Sequence, residues 1–195
     1  IKSHPFESFV YENYNDYEKA MEIYEETLNQ SEKLGDKKNT AISLRKIGVI
    51  YYHNSDYEKT LDYFIRSLEL SELINDKALI SMALNNIGAV YRIQNNEDKS
   101  HDYYTRAIKI AEEIGDKDGM GDVLYNIGDV FSDKGENDIA LDYYSRSLEI
   151  REELGDKGSM GENLNSIGFY NSQKGNVDTA LDYYSRSLEI AEEIG

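Results

Sequence analysis

Cysteine is absent from the 195 residues, which excludes disulfides, thiolate nucleophiles and Cys-rich zinc sites. Tryptophan is absent too, and proline occurs once, at Pro5, too little for a Pro-rich linker. Basic residues are scarce: 21 Lys plus Arg face 38 Asp plus Glu, a formal net charge of −17. Affinity for a phosphate backbone comes from basic patches that release counterions. Nucleic acid is therefore not an expected partner, and anionic membrane surfaces are disfavoured likewise. No apolar run approaches the ~18 residues needed to span a bilayer, and no charged segment followed by an apolar one opens the chain, so a cytoplasmic location is expected.

What the chain has is tyrosine, 17 in all, a hydrophobic content of 39% that suffices for a continuous core, and an overt internal repeat. The decapeptide LDYYSRSLEI stands at 141–150 and again, unchanged, at 181–190, with LDYFIRSLEL at 61–70 and HDYYTRAIKI at 101–110 as its relatives, all 40 residues apart. A second motif keeps the same period: SLRKIGVIY at 43–51, ALNNIGAVY at 83–91, VLYNIGDVF at 123–131 and NLNSIGFYN at 163–171. Leu44, Ile47, Gly48 and Tyr51 fall on one stripe of a 3.6-residue helix, here called helix A. Leu61, Phe64, Ile65, Leu68 and Ser71 do the same on a second helix, B. Asp62 with Arg66, and its counterparts at Asp102, Asp142 and Asp182, are acid-first i, i+4 pairs suited to a solvated face.

Punctuation repeats as well. Gly35, Asn75, Gly115, Gly155 and Gly195 sit where helix B should end, in residues that tolerate a left-handed C-cap. Asp36, Asp76, Asp116 and Asp156 follow as N-caps for the next helix A. Asn15, Ser55, Asn95, Gly135 and Gly175 mark the turn from A to B, with Asp16, Asp56 and Asn96 as caps for helix B. The expected fold is all-α, a solenoid of about five helical hairpins in one array over 1–195: a degenerate unit at 1–35, then 36–75, 76–115, 116–155 and 156–195.

Leu44, Ile47, Gly48, Tyr51, Thr60 and Phe64, and again Leu124, Ile127, Gly128, Phe131, Ala140 and Tyr144, resemble the tetratricopeptide pattern over essentially the whole chain. The period of 40 exceeds the family's usual 34, and the closing proline is missing. The resemblance is to the 40-residue class of kinesin light chains, Leu-Gly-Asn-repeat spindle adaptors and bacterial signalling proteins. It implies binding of a protein or peptide segment. The chain opens on Ile1 and closes on AEEIG, which at 111–115 precedes another unit, so a fragment of a longer array is expected.

No catalytic constellation competes. His4, His53 and His101 share no metal-ligand spacing, and DGMG at 118–121 lacks the Lys-Ser/Thr of a phosphate loop. The carboxylates recur as surface charges and caps rather than as a converging pair. Neither an enzyme, a metal nor any other cofactor is expected. In each Tyr doublet, 103 with 104, 143 with 144 and 183 with 184, one ring should be core and its neighbour a flanking contact.

The resemblance further implies that helix A lines a concave groove. Its flanking positions are Ile42, Arg45, Val49 and Tyr52 in one unit and Met82, Asn85, Ala89 and Arg92 in the next. Asp122, Tyr125, Asp129 and Asp133 follow, then Glu162, Asn165 and Phe169. The first two sets are apolar with Arg45 and Arg92, the later ones acidic, so the N-terminal half should accept an acidic segment and the C-terminal half a basic one. The family's Lys and Asn carboxylate clamp does not transfer, since Val49, Ala89, Asp129 and Phe169 stand where its Asn would be. A scaffold leads the functional reading. A regulatory input domain of a larger signalling protein, and self-association through terminal repeats, stay open beside it.

Overall fold

The computed structural model describes residues 14–194. Nine helices fill that span: α1 (Tyr14–Leu34), α2 (Lys37–His53), α3 (Tyr57–Leu73), α4 (Lys77–Ile93), α5 (Glu97–Ile114), α6 (Lys117–Asp133), α7 (Asn137–Leu154), α8 (Lys157–Gln173) and α9 (Val177–Ile194). Helices α2, α4, α6 and α8 are the expected A helices, and α3, α5, α7 and α9 the B helices. The degenerate helix A before α1 lies outside the described residues.

The predicted punctuation acts as expected. Asp36, Asp76, Asp116 and Asp156 each accept a hydrogen bond from the backbone N–H three residues on, at 3.0–3.4 Å. Asp56 and Asn96 cap α3 and α5 in the same way. Gly115 and Gly155 end α5 and α7 with φ of 68° and 66°, and Asn75 takes the same left-handed conformation at 53°. One expectation fails at the N-terminal side. Asn15 and Asp16 lie inside α1, which begins at Tyr14, because no left-handed residue interrupts the helix there.

Within each hairpin the A helix meets the B helix over a bare backbone. A Cβ added at Gly48 would lie 2.6 Å from Phe64, at Gly88 2.8 Å from Tyr104, at Gly128 2.7 Å from Tyr144 and at Gly168 2.9 Å from Tyr184. Real side chains do not approach so closely, so glycine is what lets each aromatic ring lie flat on its A helix. Phe64, Tyr104 and Tyr144 are buried, while Tyr103 and Tyr143 flank them, stacked on Tyr91 and Phe131 at ring distances of 5.5 Å. The doublets at 103–104 and 143–144 thus divide as their spacing predicts, whereas in the last one Tyr184, expected in the core, is 37% exposed. Ile65, placed in the helix B stripe on sequence, is instead exposed.

A hydroxyl bolts each pair a turn away. Ser67 donates to the Ala41 carbonyl at 2.8 Å, Ser147 to Gly121 at 2.8 Å and Ser187 to Gly161 at 3.0 Å. In the remaining hairpin the donor changes sides: helix B carries Ala107, and Ser81 of helix A donates to its carbonyl at 3.0 Å. The bond survives the exchange, with one hydroxyl from either helix meeting the facing backbone carbonyl.

Within each of three hairpins the start of the A helix is tied to the end of its B helix by an ion pair 36 residues apart, Lys77 with Glu113 and Lys117 with Glu153, both at 2.5 Å, and Lys157 with Glu193. All are solvent-exposed and contribute roughly 0–1 kcal/mol each. Arg66, Arg106 and Arg146 pair with Asp62, Asp102 and Asp142 as expected, whereas Arg186 reaches Glu152 of α7 at 2.6 Å.

Candidate functional site

Helix α2 touches α4 and α4 touches α6, with no comparable contact between successive B helices. The A helices therefore take the tighter inner side of the curve, and their free faces form one concave strip. Ile42, Arg45, Val49, Tyr52, Met82, Ala89, Arg92, Asp122, Tyr125, Asp129 and Glu162 are half-buried along it, while Asp133, Asn165 and Phe169, the last by 47%, are exposed on the same strip. Asn85 is different: only 5% exposed, it accepts a hydrogen bond from Asn126 of α6 at 2.9 Å.

That bond spans 41 residues, and the offset recurs. Tyr125 and Ser166 share a hydrogen bond at 3.1 Å, and Arg92 donates to Asp133 at 3.1 Å. Neighbouring A helices thus pair position i with position i+41, one residue beyond the repeat. Arg92 also pairs with Asp129 at 3.0 Å, and Asp129 accepts a bond from the Tyr144 hydroxyl at 2.7 Å. The Arg92 charge expected to serve the N-terminal half is therefore neutralised by acids of the C-terminal half. Removing Arg92 would orphan a largely enclosed Asp129 whose pKa burial already raises. Arg92→Ala should lower the melting temperature by several degrees in a thermal denaturation scan.

Sequence reasoning missed Arg151. It is 1% exposed and grips Asp118 and Asp122 of α6 and, at 3.3 Å, Asp156, the N-cap of α8. The signal was present. Ser31, Ser71, Ala111 and Ala191 occupy the equivalent places, so one unit replaces a small residue by the largest cation. Gly121 supplies the room, since a Cβ there would lie 2.8 Å from Arg151 Nε. The DGMG stretch is the opening of α6, shaped around that guanidinium.

Three carboxylates on one cation leave an excess of negative charge. Burial, with Asp118 and Asp156 adding to it, pushes Asp122 from 3.8 up to about 7. In the unfolded chain this proton leaves near 3.8, so folding holds it between those values, and stability falls as pH rises from about 4 to 7. Asp122→Asn removes that slope. Relative to the wild type, the variant should gain roughly 2 kcal/mol between pH 5 and pH 8 in urea titrations, whereas parallel pH profiles would show that Asp122 is already ionised.

Among the described residues no helix is long and apolar enough to cross a membrane, and no group of three or more His, Cys, Asp or Glu side chains could hold a metal ion.

The architecture is that of the α-α superhelical repeat proteins. The Tetratricopeptide repeat family model matches residues 39–113 and 119–193, and the chain belongs to that family. It is similar in fold to BtubC (BKLC) from P. vanneervenii, with a TM-score of 0.77 at 17% identity over 92% of this chain and 74% of that one. A Rap protein complexed with Competence and Sporulation Factor gives a TM-score of 0.83 at 18% identity, over 92% of this chain and 50% of its own. The Rap conjugation gene regulator of the plasmid pLS20, in complex with the Phr* peptide, gives 0.81 at 18% identity over the same shares. No curated protein matches the chain in sequence.

Proposed function

We propose that the array is a non-catalytic scaffold that holds a segment of a partner protein along the concave face of α2, α4, α6 and α8. The observation that carries this reading is where the units differ. Residues 121–150 and 161–190 agree at 19 of 30 positions, and all 11 differences fall in the first 20: eight on helix A, one in the turn and two, at 137 and 139, in the first turn of helix B. The decapeptide of helix B is unchanged, although its outward residues, such as Asp142 and Asp182, are just as exposed. The varied positions include Tyr125 against Asn165 and Asp129 against Phe169, which sit on the inner strip. The two Rap proteins of similar fold are in complex with a peptide or factor, which supports the same use of the face here; the chain spans half their length.

With Arg92 spent on Asp129 and Asp133, the groove is less polarised than its sequence implies. It offers Ile42, Val49, Met82 and Ala89 at one end and Tyr125 and Phe169 at the other, a surface for a largely apolar peptide. The test is a peptide selected from a random phage library on the immobilised array, then titrated calorimetrically against variants. Phe169→Ala should weaken it at least about tenfold, or 1.4 kcal/mol, while Glu149→Ala on helix B leaves it unchanged. The reverse pattern would place binding on the convex side.

A second reading has its own observation. Leu181 and Leu188 of α9 are 58% and 61% exposed, whereas the matching Leu148 of α7 is buried under α8. Two α9 faces from two copies would cover each other. Light scattering over a dilution series should then show a dimer that dissociates, and a constant monomer mass excludes it.

A further inference from the structure

On the reading that the concave face holds a peptide, we propose that the cavity between α2, α4 and α6 is a side-chain pocket for a primary carboxamide, an asparagine or glutamine of the partner. The cavity measures about 50 Å³ and opens among the A helices of three successive units. Arg45 of α2 and Asn86 of α4 line one side, and Arg45 Nε and Asn86 Nδ2 are buried donors with no acceptor. Asn86 is 2% exposed, so water does not relieve it from outside. Buried donors are nearly always satisfied, and two at one cavity call for an acceptor that enters it.

Arg45 stands apart from Arg92 and Arg151. Arg92 holds two carboxylates and Arg151 holds three, yet Arg45 makes no ion pair among the described residues. Burial lowers its pKa, as expected for a cation whose partner is not supplied by its own fold.

The opposite wall decides which acceptor. It carries Asp118 and Asp122, both held by Arg151, with carboxylate lone pairs to spare. A carboxylate guest reaching for Arg45 would face the charge of Asp118, and that of Asp122 as well once the pH passes about 7, across a gap of only about 50 Å³. A carboxamide fits both walls, its oxygen accepting from Arg45 and Asn86 while its NH₂ donates towards α6. Size agrees, since a water's share of liquid volume is about 30 Å³ and the space suits a group of three heavy atoms. A peptide main chain, which must both enter and leave, does not pass through such a volume. Met82 and Val123 at the wall suit the methylene stem.

The test takes the selected peptides and resynthesises each with its Asn or Gln changed, one at a time, to Asp or Glu. One such change should weaken binding to the wild-type array at least roughly tenfold, because a site built to hydrogen-bond a group rejects its mismatched analogue. The preference should vanish in Asn86→Ala and in Arg45→Met; if one variant melts below the assay temperature, the other still decides. A merely structural role for Asn86 or Arg45 would change stability but leave the amide-over-acid ratio intact, and that result overturns the pocket. Groove-bound peptides that tolerate or prefer the acid overturn it also, without harm to the groove reading. A selection yielding no peptide, or only peptides indifferent to Phe169→Ala, overturns the groove and the pocket together.

Discussion

Arg151→Ala should destabilise the array by about 3–5 kcal/mol, the cost of leaving buried carboxylates without their cation. Asp118, Asp122 and Asp156 all turn on this one guanidinium, and Asp156 caps α8, so the loss falls on the junction between α6–α7 and α8–α9. Repeat arrays are held by nearest-neighbour interfaces, which makes the effect local. Hydrogen exchange should show protection collapsing in α8 and α9 while α2–α4 keep theirs. Uniform loss along the chain, or none, would mean that Arg151 is not the joint between these units.

Gly128→Leu should cost about 3 kcal/mol, the upper range for overpacking, in a urea titration. Its first side-chain atom would already lie 2.7 Å from Tyr144. That ring has nowhere to retreat. It lies on Tyr125 at 5.1 Å and stacks with Tyr170 at 5.9 Å, and its hydroxyl is tied to Asp129. Gly158→Ala is the matched control, because a Cβ there meets only Asp156 at 3.7 Å. It should be neutral or stabilise by up to ~1 kcal/mol, the helix-propensity difference between the two residues. Equal effects at Gly128 and Gly158 would sink the packing role of the glycine ladder.

The hairpins were legible because everything that makes them is local. The 3.6-residue stripes, the Gly and Asn C-caps and the Asp N-caps each act within a few residues, and a 40-residue period displays them four times over. Gly48, Gly88, Gly128 and Gly168 could be assigned to close packing on the same ground. Contacts between units were not legible. The pairing of i with i+41 depends on how one A helix is staggered on the next, and nothing in a single repeat encodes that stagger. Arg92 therefore read as a free groove cation when it is a strut between α4 and α6, and Asp122 read as groove lining when Arg151 holds it. Asn15 and Asp16 failed for a simpler reason: where the repeat degenerates, the analogy with Ser55 and Asp56 no longer fixes the turn.

The central claim is that the inner face of the A helices receives the partner. A photo-crosslinking amino acid placed in turn at Ile42, Ala89 and Phe169, and at Ile65 and Ile139 of the B helices, tests it most directly with a selected peptide as ligand. Crosslinks should form from the three inner positions and fail from the two on helix B. Capture from Ile65 and Ile139 with none from the inner three would contradict the claim.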